Sequence, residues 1–220
     1  MYDTVFFDLD GTVTDPGVGI TNSVAYALEK FGICLEENRT LNPFVGPPLL
    51  DSFRRFFGFS EHDALLAIDY YREYFRARGI FENEVYPGVP ELLAALRAHG
   101  CRILLASSKP EEFCRRILDH FDLAKFFDFA GGGTMDESRR DKADVIGYSL
   151  ASAGVTDRAS CLMVGDREND IRGAKQMGMA SAGVLFGYGS REELESAGAD
   201  YLAASPAEIL QIVLNEGKIS

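Results

Sequence analysis

Asp8 and Asp10 stand one residue apart, directly after the apolar run Val5-Phe6-Phe7, and Gly11 and Thr12 follow at once. The run reads as a short buried strand, and Asp-x-Asp-Gly-Thr as the loop at its C-terminal end, where open α/β sheets bind ligands. Two acids held that close favour a bound cation, although Asp and Gly alone would also make an ordinary strand-ending turn. Three later points place reactive residue types at a strand end or a helix start. Ser107 follows the apolar stretch 102–106, and a hydroxyl beside the N–H groups of a following helix suits a phosphate. Lys142 opens a helix after the polar stretch 134–141, against the preference for acids in a first turn. Alone it reads as a solvated lysine, and neutralising a phosphate would explain its placement. Asp166 ends the apolar stretch 161–164, with Asp170 one turn further on the same face.

The elements that must carry these residues fall into two kinds. From 16 to 83 every signal is helical. Val24, Leu28 and Phe31 recur at helical spacing and stop at Gly32. A breaker-rich loop holds Asn42-Pro43 and Gly46-Pro47-Pro48, a second helix spans about 49–57, and Ser60 with Asp63 starts a third, whose apolar face is Leu65, Ile68, Tyr71 and Phe75. From about 85 the chain alternates helix and strand, with strands at 102–106, 126–130 (running into a Gly-rich loop), 161–164 and 182–185. Ser205, Pro206 and Glu208 cap a last helix. One strand, a helical block and then repeated βα units predict an α/β fold. Its Rossmann-like parallel-sheet core would be residues 1–15 and 84–220, with an all-helical domain inserted at 16–83.

The succession Asp-x-Asp-Gly-Thr, Ser107, Lys142 and Gly-Asp-x-x-x-Asp resembles the four motifs of the haloacid dehalogenase-type (HAD) phosphohydrolases. The spacing is similar to the subgroup whose helical cap lies between the first and second motifs. More narrowly, the chain resembles the phosphoglycolate phosphatase-like group. The stretches Gly19-Ile20-Thr21-Asn22-Ser23-Val24, Phe44-Val45-Gly46-Pro47-Pro48-Leu49, Tyr86-Pro87-Gly88 and Lys142-Ala143-Asp144-Val145-Ile146 resemble its bacterial 5′-nucleotidase-like branch. The resemblance implies that Asp8 attacks phosphorus to give an aspartyl-phosphate and that Asp10 is general acid and then general base. It implies Mg²⁺ held by Asp8, the backbone carbonyl of Asp10 and Asp166, with Asp170 acting directly or through water. Ser107 and Lys142 would bind the phosphoryl oxygens. Thr21, Asn22 and the loop at Gly46 are the cap candidates to contact the leaving group; their plainer reading is helix surface and simple turn.

Bulk properties narrow the partners. A net charge of −12 over 220 residues argues against nucleic acid polymers or anionic membranes, and Mg²⁺ with Lys142 would supply local positive charge for a small phosphomonoester. Cys34, Cys101, Cys114 and Cys161 form no Cys-x-x-Cys pair and suit reduced thiols. With no basic leader and no bilayer-length apolar stretch, a cytoplasmic location is expected. The oligomeric state is not legible. A phospho-receiver domain fails on motif order, and a dehalogenase has no need of the acid at Asp10. A phosphomutase would want a basic residue from the cap, where the Lys and His are Lys30 and His62 only, so hydrolysis is preferred to a phosphomutase; a sugar-phosphate phosphatase of the same fold is the other alternative.

Overall fold

The computed structural model describes residues 1–35 and 38–215. In chain order the elements are β1 (Thr4–Phe7), β2 (Thr14–Asp15), α1 (Gly17–Lys30), α2 (Leu49–Phe57), α3 (Glu61–Ala77), β3 (Glu84–Val85), α4 (Val89–Ala98), β4 (Arg102–Pro110), α5 (Glu111–His120), β5 (Phe129–Gly133), α6 (Lys142–Ser152), β6 (Cys161–Gly165), α7 (Glu168–Gln176), β7 (Ala180–Val184), α8 (Arg191–Ala197), β8 (Tyr201–Ala203) and α9 (Pro206–Leu214). They form two compact units, Met1–Thr14 with the chain from Val85 onward, and Asp15–Glu84.

The first unit is built on a six-stranded sheet of order β5-β4-β1-β6-β7-β8, parallel at every pairing. A parallel sheet is covered on both faces, and β1 shows the consequence: all four of its residues are buried. Phe6 packs with Leu104 and Met163 against Val145, Ile146 and Leu150 of α6 and Ala174 of α7. Val5, Phe7, Ile103, Leu105, Leu162 and Val164 point to the opposite face and are buried as completely. Because β1 pairs with β4 on one side and β6 on the other, the strand order reverses beside it. Phe7 is in register with Leu105 and with Val164, so β1 and β6 end within one residue of each other while β4 runs on beside them.

β4 and β5 differ from the sequence expectation for one reason. β4 runs on to Pro110 rather than stopping at 106, and β5 spans Phe129–Gly133, so the glycine run expected as a loop lies inside a strand. Ser107 pairs with Gly132 and Pro110 with Gly133, which leaves Ser108 and Lys109 as a bulge. A side chain on β5 would collide with it: a Cβ at Gly132 would lie 2.5 Å from Glu111 Cα and 2.8 Å from the Lys109 carbonyl oxygen. β8, only three residues long, completes the sheet edge and was not anticipated.

The second unit is helical, with short 3-10 turns at Asn38–Phe44 and Gly79–Phe81. The first replaces part of the expected breaker-rich loop. α1 begins at Gly17, whose N–H donates to Asp15 Oδ1 (3.0 Å). Ser60 caps α3 by accepting the Asp63 N–H, as its spacing predicts. An aromatic layer holds the unit: Phe53 stacks on Phe59 and meets Phe44 edge-on, and Phe31 lies 4.7 Å from Phe59 between centroids.

Candidate active site

The C-terminal edge of the sheet at β1, β4 and β6 gathers Asp8, Asp10, Ser107, Lys109, Lys142, Asp166 and Asp170, all buried or nearly so. The charged groups sort into two sets. Lys142 Nζ lies 2.9 Å from Asp8 Oδ1 and 2.7 Å from Asp170 Oδ1, and it donates to the Ala106 carbonyl at 3.0 Å. Lys109 Nζ lies 2.8 Å from Asp10 Oδ2. Asp8 Oδ1 also accepts the Leu9 N–H at 2.7 Å, so this carboxylate is held by its own turn as well as by a lysine.

Asp166 is fully buried. Its Oδ2 accepts the Tyr188 N–H at 2.8 Å, while Oδ1 has no hydrogen-bond partner. Asp170 is tied down more completely, since Oδ2 accepts the Arg167 N–H at 3.0 Å and Oδ1 meets Lys142. Backbone presses on Asp166 from two sides. At Gly11, φ is +80° and a Cβ would stand 2.1 Å from Asp166 Oδ2; at Gly187 one would stand 2.4 Å from Asp166 Cβ. Only glycine allows either approach. Glu193 fastens the loop from outside, accepting from Arg167 Nε at 2.8 Å and from the Glu168 N–H at 2.9 Å.

Burial without enough counter-charge shows in the acidities. Burial, reinforced by Asp170 and Asp8, holds the Asp166 proton well above the usual carboxylate range. Burial raises Asp170 to about 6, with Lys142 pulling down and Asp8 pushing up. Burial raises Asp10 too, against the pull of Lys109. For Lys142, burial works to lower the ammonium, but Asp170 and Asp8 outweigh it and the group is held above its ordinary range.

This donor set fits a divalent cation. One carboxylate oxygen each from Asp8, Asp166 and Asp170 lie within 4.8 Å of one another. Three carboxylates face a single ammonium; of their buried oxygens, Asp166 Oδ1 has no donor, and Asp170 Oδ1 has only its ion-pair contact with Lys142. Hard oxygen ligands in that number suit Mg²⁺, which fills its remaining positions with water or phosphate oxygens.

Residues 5–184 match the model of the haloacid dehalogenase-like hydrolase family. The chain belongs to the haloacid dehalogenase-like hydrolases. It is 42% identical over 212 residues to a 5′-nucleotidase of Pseudomonas aeruginosa, covering 96% of each chain. It is 38% identical over 192 residues to the tyrosine-protein kinase PtkA of Mycobacterium tuberculosis, covering 87% of this chain and 65% of that protein. A phosphoglycolate phosphatase of Vibrio parahaemolyticus is similar at 28% identity, over 95% of each chain. Among solved structures, a predicted phosphatase from Clostridium acetobutylicum superposes with a TM-score of 0.95 at 46% identity, covering 98% of this chain and 99% of that one.

The first-motif aspartates, Lys142 and the two fourth-motif aspartates of this HAD chain thus lie in one buried cluster. Ser107 shares their edge; its register partner Gly132 sits one step beyond Gly131, opposite Ala106, and its Oγ accepts the Lys109 N–H at 3.4 Å. The cap candidates belong to the helical unit and have local partners. Thr21 Oγ1 donates to the Gly17 carbonyl at 2.7 Å, and Asn22 Nδ2 to Glu82 Oε2 at 3.0 Å. Gly46 has φ +101°, a turn that favours glycine. Sequence reasoning missed Lys109, the Tyr188 N–H and Thr12, whose buried hydroxyl has no partner. The Gly187-Tyr188-Gly189 run after β7 was a usable signal for the second of these.

Proposed function

We propose that the chain is a Mg²⁺-dependent phosphomonoester hydrolase that works through an aspartyl-phosphate at Asp8. The observation that carries this reading is the division of charge. Two neighbouring aspartates each have their own buried lysine, and the cluster beside one of them holds a carboxylate oxygen without a donor. Asp8, Asp166 and the backbone carbonyl of Asp10 would hold the metal, with Asp170 orienting Lys142 and acting on the ion directly or through water. When bound, Mg²⁺ supplies positive charge against the phosphoryl oxygens.

The chain's own residues do the rest. Lys142 and Ser107 face the non-bridging oxygens, where charge must be stabilised during transfer. The Asp8 carboxylate attacks phosphorus as the bond to the leaving oxygen breaks, and Asp10 passes a proton to that oxygen. Water then attacks the phosphorus of the aspartyl-phosphate and gives its proton to Asp10. The bond to Asp8 breaks, inorganic phosphate leaves and both carboxyl groups return to their starting states. Burial raises the pKa of Asp10, so it keeps a proton to give at higher pH than an exposed carboxyl group.

The substrate is a small soluble phosphomonoester. A nucleoside 5′-monophosphate is preferred on the strength of the 42% identical 5′-nucleotidase, ahead of 2-phosphoglycolate. The unit Asp15–Glu84 is the cap that sets this choice. The test is release of inorganic phosphate from p-nitrophenyl phosphate with Mg²⁺, by wild type and Asp8→Asn, followed by a panel of phosphomonoesters. Mg²⁺-dependent release abolished in the variant supports the reading. Absence of release, or release undiminished by Asp8→Asn, overturns it. Phosphate appearing only on protein tyrosines would point instead to the activity in PtkA's name.

A further inference from the structure

Lys109 has no part in the chemistry outlined above, yet it is the most deliberately placed lysine in the sheet unit after Lys142. Its side chain is buried, and its ammonium meets Asp10 Oδ2 at 2.8 Å. The other oxygen of the same carboxylate, Oδ1, is buried with no hydrogen-bond partner. A carboxylate held by one oxygen in this way presents the other in a fixed direction.

The backbone under Lys109 is as constrained as its tip. The residue lies in the β4 bulge, between the Ser107 and Pro110 pairings. Its N–H donates to Ser107 Oγ at 3.4 Å, and its carbonyl accepts the Cys114 thiol at 3.4 Å. The bulge rests on bare glycine backbone: a Cβ at Gly133 would stand 2.5 Å from the Ser108 carbonyl oxygen, and one at Gly132 would stand 2.8 Å from that of Lys109. The glycines of β5, the bulge in β4 and a buried ammonium thus form a continuous support that ends on Asp10 Oδ2.

We infer that Lys109 is a positioning residue for Asp10: it clamps Oδ2 so that Oδ1 is the atom that hands a proton to the leaving oxygen and later takes one from water. The inference rests on the phosphatase reading and adds to it a residue that acts through Asp10 rather than on the phosphoryl group. Lys142 serves Asp8 and Lys109 serves Asp10, so removing either lysine should weaken a different step.

The leaving group separates these steps. Protonation by Asp10 matters most when the departing oxygen is a poor leaving group, and least for p-nitrophenolate. The experiment compares kcat/KM for p-nitrophenyl phosphate and phenyl phosphate in wild type, Lys109→Met and Lys109→Arg. The Mg²⁺-induced rise in Tm is followed in each, to report on the Asp8, Asp166 and Asp170 cluster, whose paired lysine is Lys142. Lys109→Met is expected to lose on the order of 10²-fold on phenyl phosphate, the scale of general acid catalysis, and far less on p-nitrophenyl phosphate. Its Mg²⁺ response should be retained, and Lys109→Arg should recover much of the loss. An equal loss on both esters, a change in KM alone, or an arginine variant no better than wild type divided by the methionine loss overturns the inference. If Lys109→Met fails to fold, Lys109→Arg and Gly132→Ala, which pushes on the Lys109 carbonyl, decide by the same ratio of the two esters. The two readings fail separately: a wild type without turnover removes the phosphatase reading, whereas an Asp8-dependent enzyme whose Lys109 variants ignore the leaving group removes only this one.

Discussion

In the sheet unit, Asp10 Oδ1, Thr12 Oγ1 and Asp166 Oδ1 are buried at the strand ends with no hydrogen-bond partner. In the helical unit, Thr21 and Ser23 return their hydroxyls to carbonyls of their own helix, and Asn22 and Tyr74 both donate to Glu82. Two buried oxygens there, Ser52 Oγ and Asn83 Oδ1, also have no hydrogen-bond partner, but neither carries charge. An unsatisfied buried polar group costs about 1–3 kcal/mol, and more when charged. A fold that gathers several at one edge is holding them for something that binds there. The helical unit spends its polar groups on itself and its stability on aromatic packing. The contrast shows where polar groups are held in reserve and where they are spent on the fold itself.

The contrast can be attacked at four points. Asp8→Asn removes the attacking carboxylate and should lower turnover of p-nitrophenyl phosphate by on the order of 10⁴-fold or more, as loss of a nucleophile does elsewhere; steady-state assays would show it. Lys142→Met leaves Asp8 and Asp170 buried without their shared ammonium. It should cost about 10²–10³-fold in kcat and about 3–5 kcal/mol of stability, with part of the lost Tm returned by Mg²⁺.

Third in size is a pH effect. Folding raises the pKa of Asp170, to about 6, and that of Asp166 above their unfolded values, so between roughly pH 4 and those raised values the folded protein binds more protons. Metal-free stability from these groups therefore falls as pH rises through about 6. Mg²⁺ competes with the same protons, and its increment in Tm should be larger at pH 8 than at pH 5; an increment independent of pH would separate the metal from this cluster. Smallest is Asn22→Ala, which loses the bond to Glu82 and should cost about 1 kcal/mol with little change in turnover. A large rise in KM would show instead that the helical unit also reserves polar groups for substrate.

The legible parts of the sequence were those where a residue type contradicts its surroundings. Two aspartates at the end of a buried strand such as β1 call for a partner, and a lysine in a helix's first turn runs against the usual preference. Asp8, Asp10 and Lys142 therefore stood out once their order along the chain was read together, although Lys142 alone reads as solvated. Lys109 did not. A lysine before proline reads as a solvated turn, and its burial depends on a bulge in β4 that only the glycines of β5, more than twenty residues later, make room for. The same non-local pairing carried β4 past Ala106 and turned an expected loop into strand. β8 was illegible for a simpler reason: three residues, the first of them exposed, carry too little pattern.

A covalent intermediate at Asp8 is the claim on which the rest depends, and Asp10→Asn offers the most direct view of it. This variant lacks the base for the second step but can still release p-nitrophenolate, which needs little proton assistance. Mixed with p-nitrophenyl phosphate and Mg²⁺, acid-quenched and measured by intact and peptide mass spectrometry, it should gain one phosphoryl group, located on Asp8. p-Nitrophenolate released with no phosphoryl group on Asp8, or with one on another residue, would contradict the mechanism.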